Sequence, residues 1–211
     1  MESIRRYCSK NSESLRMTLV CLSTGDAFGL GRVRAKELVG SCRTYEIREK
    51  DVEVVDDQRL RDGMDEVWDP RIVAEYVENH VRDRGTTHIV GFDEKGISRH
   101  PNHCACARAL ELLMLKKKAA EGLGRVGSIW VQETYSGLSQ YLGPLTVVWR
   151  CLRTFLGASS CGRERVVCTA VTSFLFAFRA MRAHRSQLVW YRYLHLVFSR
   201  YVYINVLRAL A

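Results

Sequence analysis

Apolar residues along the chain fall into short β-rich runs separated by longer stretches where they recur at helical spacing. Residues 17–23 predict a buried strand that runs into a loop of small residues, Ser23, Thr24, Gly25 and Asp26. Residues 32–42 follow as a helix, with Val33, Leu38 and Val39 as inward positions. A second strand over 52–55 is closed by Asp56 and Asp57. Pro70 opens a helix to about residue 84, along which Ile72, Val73, Tyr76, Val77 and Val81 lie at helical spacing. Residues 88–92 predict a third strand, 103–118 a helix and 128–132 a fourth strand.

Strands alternating with helices predict an α/β fold, a parallel sheet built of βαβ units. In such sheets the working loops lie beyond the carboxyl ends of the strands. Here those loops are 23–31, 56–68, 93–103 and 133–135, and they hold most of the polar groups with chemical potential. The expected organisation is a loose N-terminal segment over 1–16 followed by one α/β domain over 17–211. Within that domain, residues 180–211 form a helical, membrane-proximal tail.

Charge changes the picture in the C-terminal third. The chain carries a net charge of +9, which favours an anionic partner. From Cys151 onward the single acid is Glu164, set among nine arginines. On one continuous helix Arg182, Arg185, Arg192 and Arg200 would share an arc of roughly 80°, surrounded by Trp190, Tyr191, Tyr193, Phe198 and Tyr201. A basic stripe in aromatic surroundings fits either a membrane headgroup layer or a solvated helix face. No recognised nucleic-acid motif accompanies the charge, and no nucleic-acid partner is expected. The longest uncharged apolar stretch, 166–178, is shorter than the roughly 18–20 residues of a membrane-spanning helix.

The eight cysteines form no C-x-x-C pair, and several sit in apolar runs, which favours a reducing compartment. Cys104 and Cys106 are open to two readings, a soft-metal site or helix packing. His100-Pro101-Asn102-His103 lies at a turn into a helix, where two imidazoles three residues apart can converge on one point. Such a pair also occurs for purely structural reasons. Asp93, at the end of a predicted strand, is expected to point toward the same crevice. The remaining histidines, His80, His88, His184 and His195, read as structural or surface residues. The loop 23–31 with Arg34 allows close backbone approach and a bidentate grip on a phosphate, or simply caps the following helix. It is neither a Walker loop nor a dinucleotide fingerprint.

Taken together these segments resemble the N-acetylglucosaminyl-phosphatidylinositol de-N-acetylase family, the LmbE-like zinc deacetylases. CLSTGDAFGLGRVRAKEL (21–38) is similar to the family's strand, Ser-x-Gly-Asn/Asp loop, Gly-Leu-Gly and Arg-x-x-Glu-Leu. FDEKGISRHPNH (92–103) is similar to its Phe-Asp-x-x-Gly-x-Ser-Gly-His-x-Asn-His element, with Arg99 in place of the usual glycine. HRSQLVWYRYLHLVFSRYVYIN (184–205) looks like the tail of the eukaryotic members. The resemblance implies a Rossmann-like fold and hydrolysis of the N-acetyl group of N-acetylglucosaminyl-phosphatidylinositol in glycosylphosphatidylinositol-anchor biosynthesis. It also implies a zinc cofactor, with His103 as metal ligand, His100 as the catalytic, non-ligating histidine, and Arg34 and Asp62 on the substrate side. The setting it implies is the cytosolic face of the endoplasmic reticulum membrane, with the basic C-terminal region against the membrane surface.

The family's His-Pro-Asp-Asp motif, which carries its remaining metal ligands and its base, does not occur in these 211 residues. The expectation is an N-terminally truncated chain of an active deacetylase. The alternative is a non-catalytic paralogue that binds glycophosphoinositide or membrane.

Overall fold

The computed structural model describes residues 16–119, 123–155, 164–168 and 171–210, so the reading of 1–16 lies almost wholly outside the described residues. The chain divides into two compact units. One takes in Thr18–Arg32, Glu53–Thr134 and the strand end from Leu207. The other takes in Val33–Val52 and Tyr135–Val206 with the described end of the first segment.

The first of these units follows the alternation predicted from sequence. Strands β1 (Leu19–Cys21) and β2 (Val52–Val54) make a two-stranded sheet. Helix α1 (Gly31–Thr44) leaves this unit within its first turn. Helix α2 (Pro70–Arg84) starts where it must: the Asp69 side chain accepts a bond from the Arg71 N–H, and Pro70 takes the first helical position, where its missing donor costs nothing. Strand β3 (His88–Phe92), the short helix α3 (Gly96–Arg99), helix α4 (Pro101–Lys118) and strand β4 (Ser128–Gln132) follow. β3 and β4 pair in parallel from His88↔Ser128 to Phe92↔Gln132, so the β3–α4–β4 crossover is the predicted βαβ unit.

α2 packs against α4, and Val73, Leu113 and Ile129 are fully buried in the core between them and the strands. His80, on α2 and 5% exposed, joins three elements: its Nδ1 bonds Glu53 of β2 at 2.6 Å and its Nε2 bonds Thr18 beside β1 at 2.9 Å. That arrangement gives His80 the structural role expected from sequence.

The second unit departs from expectation. It holds most of α1, helix α5 (Gly143–Phe155), strand β5 (Glu164–Cys168), helix α6 (Val171–Ala183), helix α7 (Trp190–Phe198) and the short helix α8 (Arg200–Tyr203). Val33, expected to face inward on α1, is exposed. The tail is not one helix. It breaks over 184–189 and again at Ser199, and it ends in strand β6 (Ile204–Ala209). Arg182, Arg185, Arg192 and Arg200 therefore lie on successive short elements rather than along one stripe.

β6 carries Ile204, Val206 and Leu207 buried, an apolar run a sheet accepts and a solvated helix does not. Its end pairs antiparallel with β4, Trp130↔Ala209 to Gln132↔Leu207, which makes the larger sheet mixed, in the order β3-β4-β6-β5. Glu37 of α1 bonds both the backbone N–H and the hydroxyl of Ser186, at 2.7 and 2.6 Å. This tie within the second unit links two sequence motifs 149 residues apart.

Candidate functional site

The turn between β3 and α4 is held in place from its base. Asp93, 6% exposed, accepts bonds from the Thr134 N–H at 2.6 Å, the Thr134 hydroxyl and the Lys95 N–H at 3.2 Å. The Thr134 hydroxyl in turn accepts the Ile97 N–H at 2.9 Å. Asp93 was expected to point into the crevice, but its carboxylate is spent on tying this loop to the chain beyond β4. Sequence gives no sign of the tie, because its partners lie 41 positions apart.

Above this anchor the backbone is contorted. Gly96, Ile97 and Arg99 all have positive φ, at 59°, 64° and 60°. Only Gly96 adopts such a conformation freely; for the other two it is strained backbone of the kind that gathers at functional sites. Gly96 is required a second time by proximity, since a Cβ there would meet the His103 Cβ at 2.6 Å and the Cys104 N at 3.0 Å. The loop therefore lies directly against the first turn of α4, and this closeness sets His103.

The two imidazoles are fixed in opposite senses. His100 is the N-cap of α4, its Nδ1 accepting the Asn102 N–H at 3.3 Å, so its ring proton sits on Nε2 and can be donated. His103 donates from Nδ1 to the Gly96 carbonyl at 3.0 Å, which leaves the Nε2 lone pair free to bind. The rings are 5.4 Å apart, and His103 stacks on Phe92 at 4.5 Å. Burial lowers the His103 pKa below its ordinary value, His100 adds to that, and the Gly96 bond and the Asp62 carboxylate act against it. The net effect keeps His103 neutral at pH 7.

Asp62 reaches the same neighbourhood because the segment after β2 folds over the start of α4. The Arg61 carbonyl accepts the Trp68 indole N–H at 2.7 Å and faces the Asn102 amide at 3.5 Å. Asp62 also acts electrostatically on the half-buried Cys21 thiol at the end of β1. His100, His103, Asp62 and the end of β1 therefore gather within one unit. Asn102, missed by that reading, is 3% exposed there, and its Oδ1 has no hydrogen-bond partner among the described residues.

The other candidate residues singled out in the sequence are placed as follows. Arg34 is half-buried on α1, within the second unit. The loop 23–31 acts as a cap: Asp26 accepts the Gly31 N–H, and a Cβ at Gly31 would strike the Asp26 side chain at 2.8 Å. Cys106 packs against the core, and burial pushes its thiol up to about 12, which agrees with the helix-packing reading.

Zinc prefers three protein ligands and an open position in catalytic sites. His103 offers one nitrogen of the right kind. Among the described residues no group of three or more His, Cys, Asp or Glu side chains converges to complete such a set.

An α/β unit that sets two imidazoles of opposite hydrogen-bonding sense beside a carboxylate, beyond the carboxyl end of a parallel strand, has the parts of a hydrolytic site. Comparison with known proteins agrees. A family model described as PIG-L: GlcNAc-PI de-N-acetylase matches residues 3–114. The chain is 34% identical, over 94% of its length, to the probable N-acetylglucosaminyl-phosphatidylinositol de-N-acetylase of Schizosaccharomyces pombe, of which it covers 76%. It is 32% identical, over 92% of its length, to the N-acetylglucosaminyl-phosphatidylinositol de-N-acetylase of Bos taurus, of which it covers 72%. A solved deacetylase mutant from the teicoplanin biosynthetic pathway superposes with a TM-score of 0.58 at 12% identity, covering 98% of this chain and 90% of the other. That likeness speaks for the fold. The chain belongs to the GlcNAc-PI de-N-acetylase family.

Proposed function

We propose that this chain acts on N-acetylglucosaminyl-phosphatidylinositol, hydrolysing the N-acetyl amide to the free glucosamine and acetate, a step of glycosylphosphatidylinositol-anchor biosynthesis. The carrying observation is the His100–His103 pair, with ring centres 5.4 Å apart and the Nδ1 atoms engaged in opposite senses. The donor Nε2–H of His100 suits the oxygen of the acetyl group, where negative charge develops as water adds to the carbonyl carbon. The lone pair of His103 suits a cation, and zinc is the metal the family resemblance implies. When bound, zinc would polarise the amide and lower the pKa of water. The described residues supply one ligand rather than three, so no step is assigned to the metal here. Asp62, beside both His103 and Cys21, stands where a sugar hydroxyl could be held. Arg34 is assigned to the phosphate of the substrate on motif resemblance alone.

The same reading puts the protein at the cytosolic face of the endoplasmic reticulum membrane, with the arginine-rich region from residue 151 toward the membrane surface. Free thiols at Cys21, Cys42, Cys104 and Cys106 are consistent with a reducing compartment.

The test is acetate release from the glycolipid by the purified chain, with and without added zinc. Release is expected, reduced on the order of 100-fold or more in His100→Ala and in His103→Ala. Saturable glycolipid binding with no acetate released under any metal condition would replace hydrolysis with a binding role.

A further inference from the structure

Among its described residues the second unit exposes large apolar side chains on two helices. On α5, Leu145, Trp149 and Leu152 point to solvent, at the spacing that normally marks the face a helix buries. On α7, Trp190, Leu194 and Phe198 do the same at i, i+4 and i+8, while Leu196 on the other side is 3% exposed. The two helices contact each other, so both exposed apolar faces lie on one packed pair. Trp149 and Trp190 are 63% and 74% exposed, although tryptophan is among the most highly buried residue types on average. Large apolar side chains left exposed on a packed helix pair are a mark of an interaction site.

Charge selects the occupant. Residues 135–211 contain ten arginines and one acid, Glu164. Arg179, Arg182 and Arg185, between α5 and α7 in the sequence, are exposed. A second copy would bring like charge to like charge. An anionic bilayer instead offers negative headgroups to the arginines and an apolar layer to the leucines, and tryptophan favours the boundary between them. No helix among the described residues is long and apolar enough to cross a membrane, so this face would lie in the surface rather than span it.

We propose that α5 and α7 insert their exposed face into the headgroup–acyl boundary of an anionic phospholipid bilayer, with Trp149 and Trp190 as the inserted anchors. The inference rests on the lipid-substrate reading for its biological sense and goes beyond it in mode: insertion, rather than electrostatic adsorption of a basic region. Its test needs no substrate, so it stands or falls separately from hydrolysis.

The purified chain is mixed with phosphatidylcholine–phosphatidylserine vesicles, some carrying brominated acyl chains, and tryptophan fluorescence and flotation are read at low and high salt. Bromine quenching is expected, with binding that persists in high salt because insertion is screened far less than adsorption. Trp149→Ser combined with Trp190→Ser should lower vesicle partitioning on the order of tenfold or more without changing the circular-dichroism spectrum. Binding wholly released by salt with no quenching would overturn the proposal in favour of adsorption alone. So would a concentration-dependent dimer that shields the tryptophans and ignores vesicles in sedimentation, since the face would then be a contact between copies. Should the double variant fold poorly, Trp149→Phe and Trp190→Phe made singly should each remove part of the quenching, and quenching unchanged in both would overturn the proposal.

Discussion

The two units solve opposite problems. In the unit that carries the histidines, polar groups are tied to one another. Asp93 and Thr134 lock the loop, His80 joins Thr18 and Glu53, and His100 caps its own helix. In the unit that carries α5 and α7, apolar groups are left in solvent. The first pattern fixes a geometry in advance, which suits chemistry that needs groups held to fractions of an ångström. The second leaves apolar surface unburied, which suits a face that meets something outside the chain. A substitution should therefore be costly at the tied polar groups of the first unit and nearly free at the exposed apolar residues of the second.

The largest effect is expected at Gly96. Alanine there would have to hold a left-handed φ while its Cβ sits 2.6 Å from that of His103. Strain and overpacking together should cost about 3 kcal/mol or more. Urea denaturation measures that cost, and imidazole NMR should show His103 losing its fixed Nδ1–H form. A Gly96→Ala chain as stable as the parent would mean that the loop is not pressed against α4 as described. Next comes Asp93→Ala, which leaves the Thr134 and Lys95 N–H groups without their acceptor. A loss of about 2–3 kcal/mol is expected, and Asp93→Asn should recover part of it because one oxygen remains to accept. If Asp93→Ala left stability intact and abolished only activity, Asp93 would belong to the chemistry after all.

These residues also show how far the sequence could be read. The helix over 70–84 and the strands 88–92 and 128–132 were legible because periodicity, a capping aspartate and a proline at the first helical position all act locally. The histidine pair was legible for the same reason: its spacing and the helix start that orients it lie within four residues. Asp93 misled because a buried carboxylate bonded to a threonine hydroxyl looks, in sequence, like any acid after a strand. The tail misled differently. Its arginines fit a helical arc, but residues 204–209 bury Ile204, Val206 and Leu207 in a sheet, and tertiary burial outweighs local pattern.

A smaller effect sharpens the comparison from the other side. The second unit has a tightly held polar group of its own in Asp51, 1% exposed, with Arg16 at 2.6 Å and Arg48 at 2.7 Å. Hydrogen bonds from the two guanidinium groups lower its pKa to about 2, from an ordinary value near about 3.9. A depressed carboxylate contributes stability that is in place above its unfolded value and is lost as pH falls through its folded one. Stability should therefore decline between about pH 4 and pH 2, and Asp51→Asn should flatten that part of the curve while leaving its shape above pH 5 unchanged. An unaltered acid limb in the variant would show that the unit's acid sensitivity lies elsewhere.

The smallest effect is the most informative about the comparison as a whole. Leu145→Gln and Trp190→Gln remove large apolar side chains that are 65% and 74% exposed. A core leucine or tryptophan replaced this way would cost several kcal/mol, because a cavity and an unsatisfied amide would both result. At these positions neither arises, and the change in folding stability should stay within about 0.5 kcal/mol. Solubility should rise, since less apolar surface remains to drive self-association. Thermal melts of each variant against the parent, in detergent-free buffer, decide the matter. A loss of folding stability comparable to that of Asp93→Ala would mean these side chains are covered by the chain itself. The second unit would then be as self-contained as the first, and the contrast between a unit that fixes groups and a unit that awaits a partner would collapse.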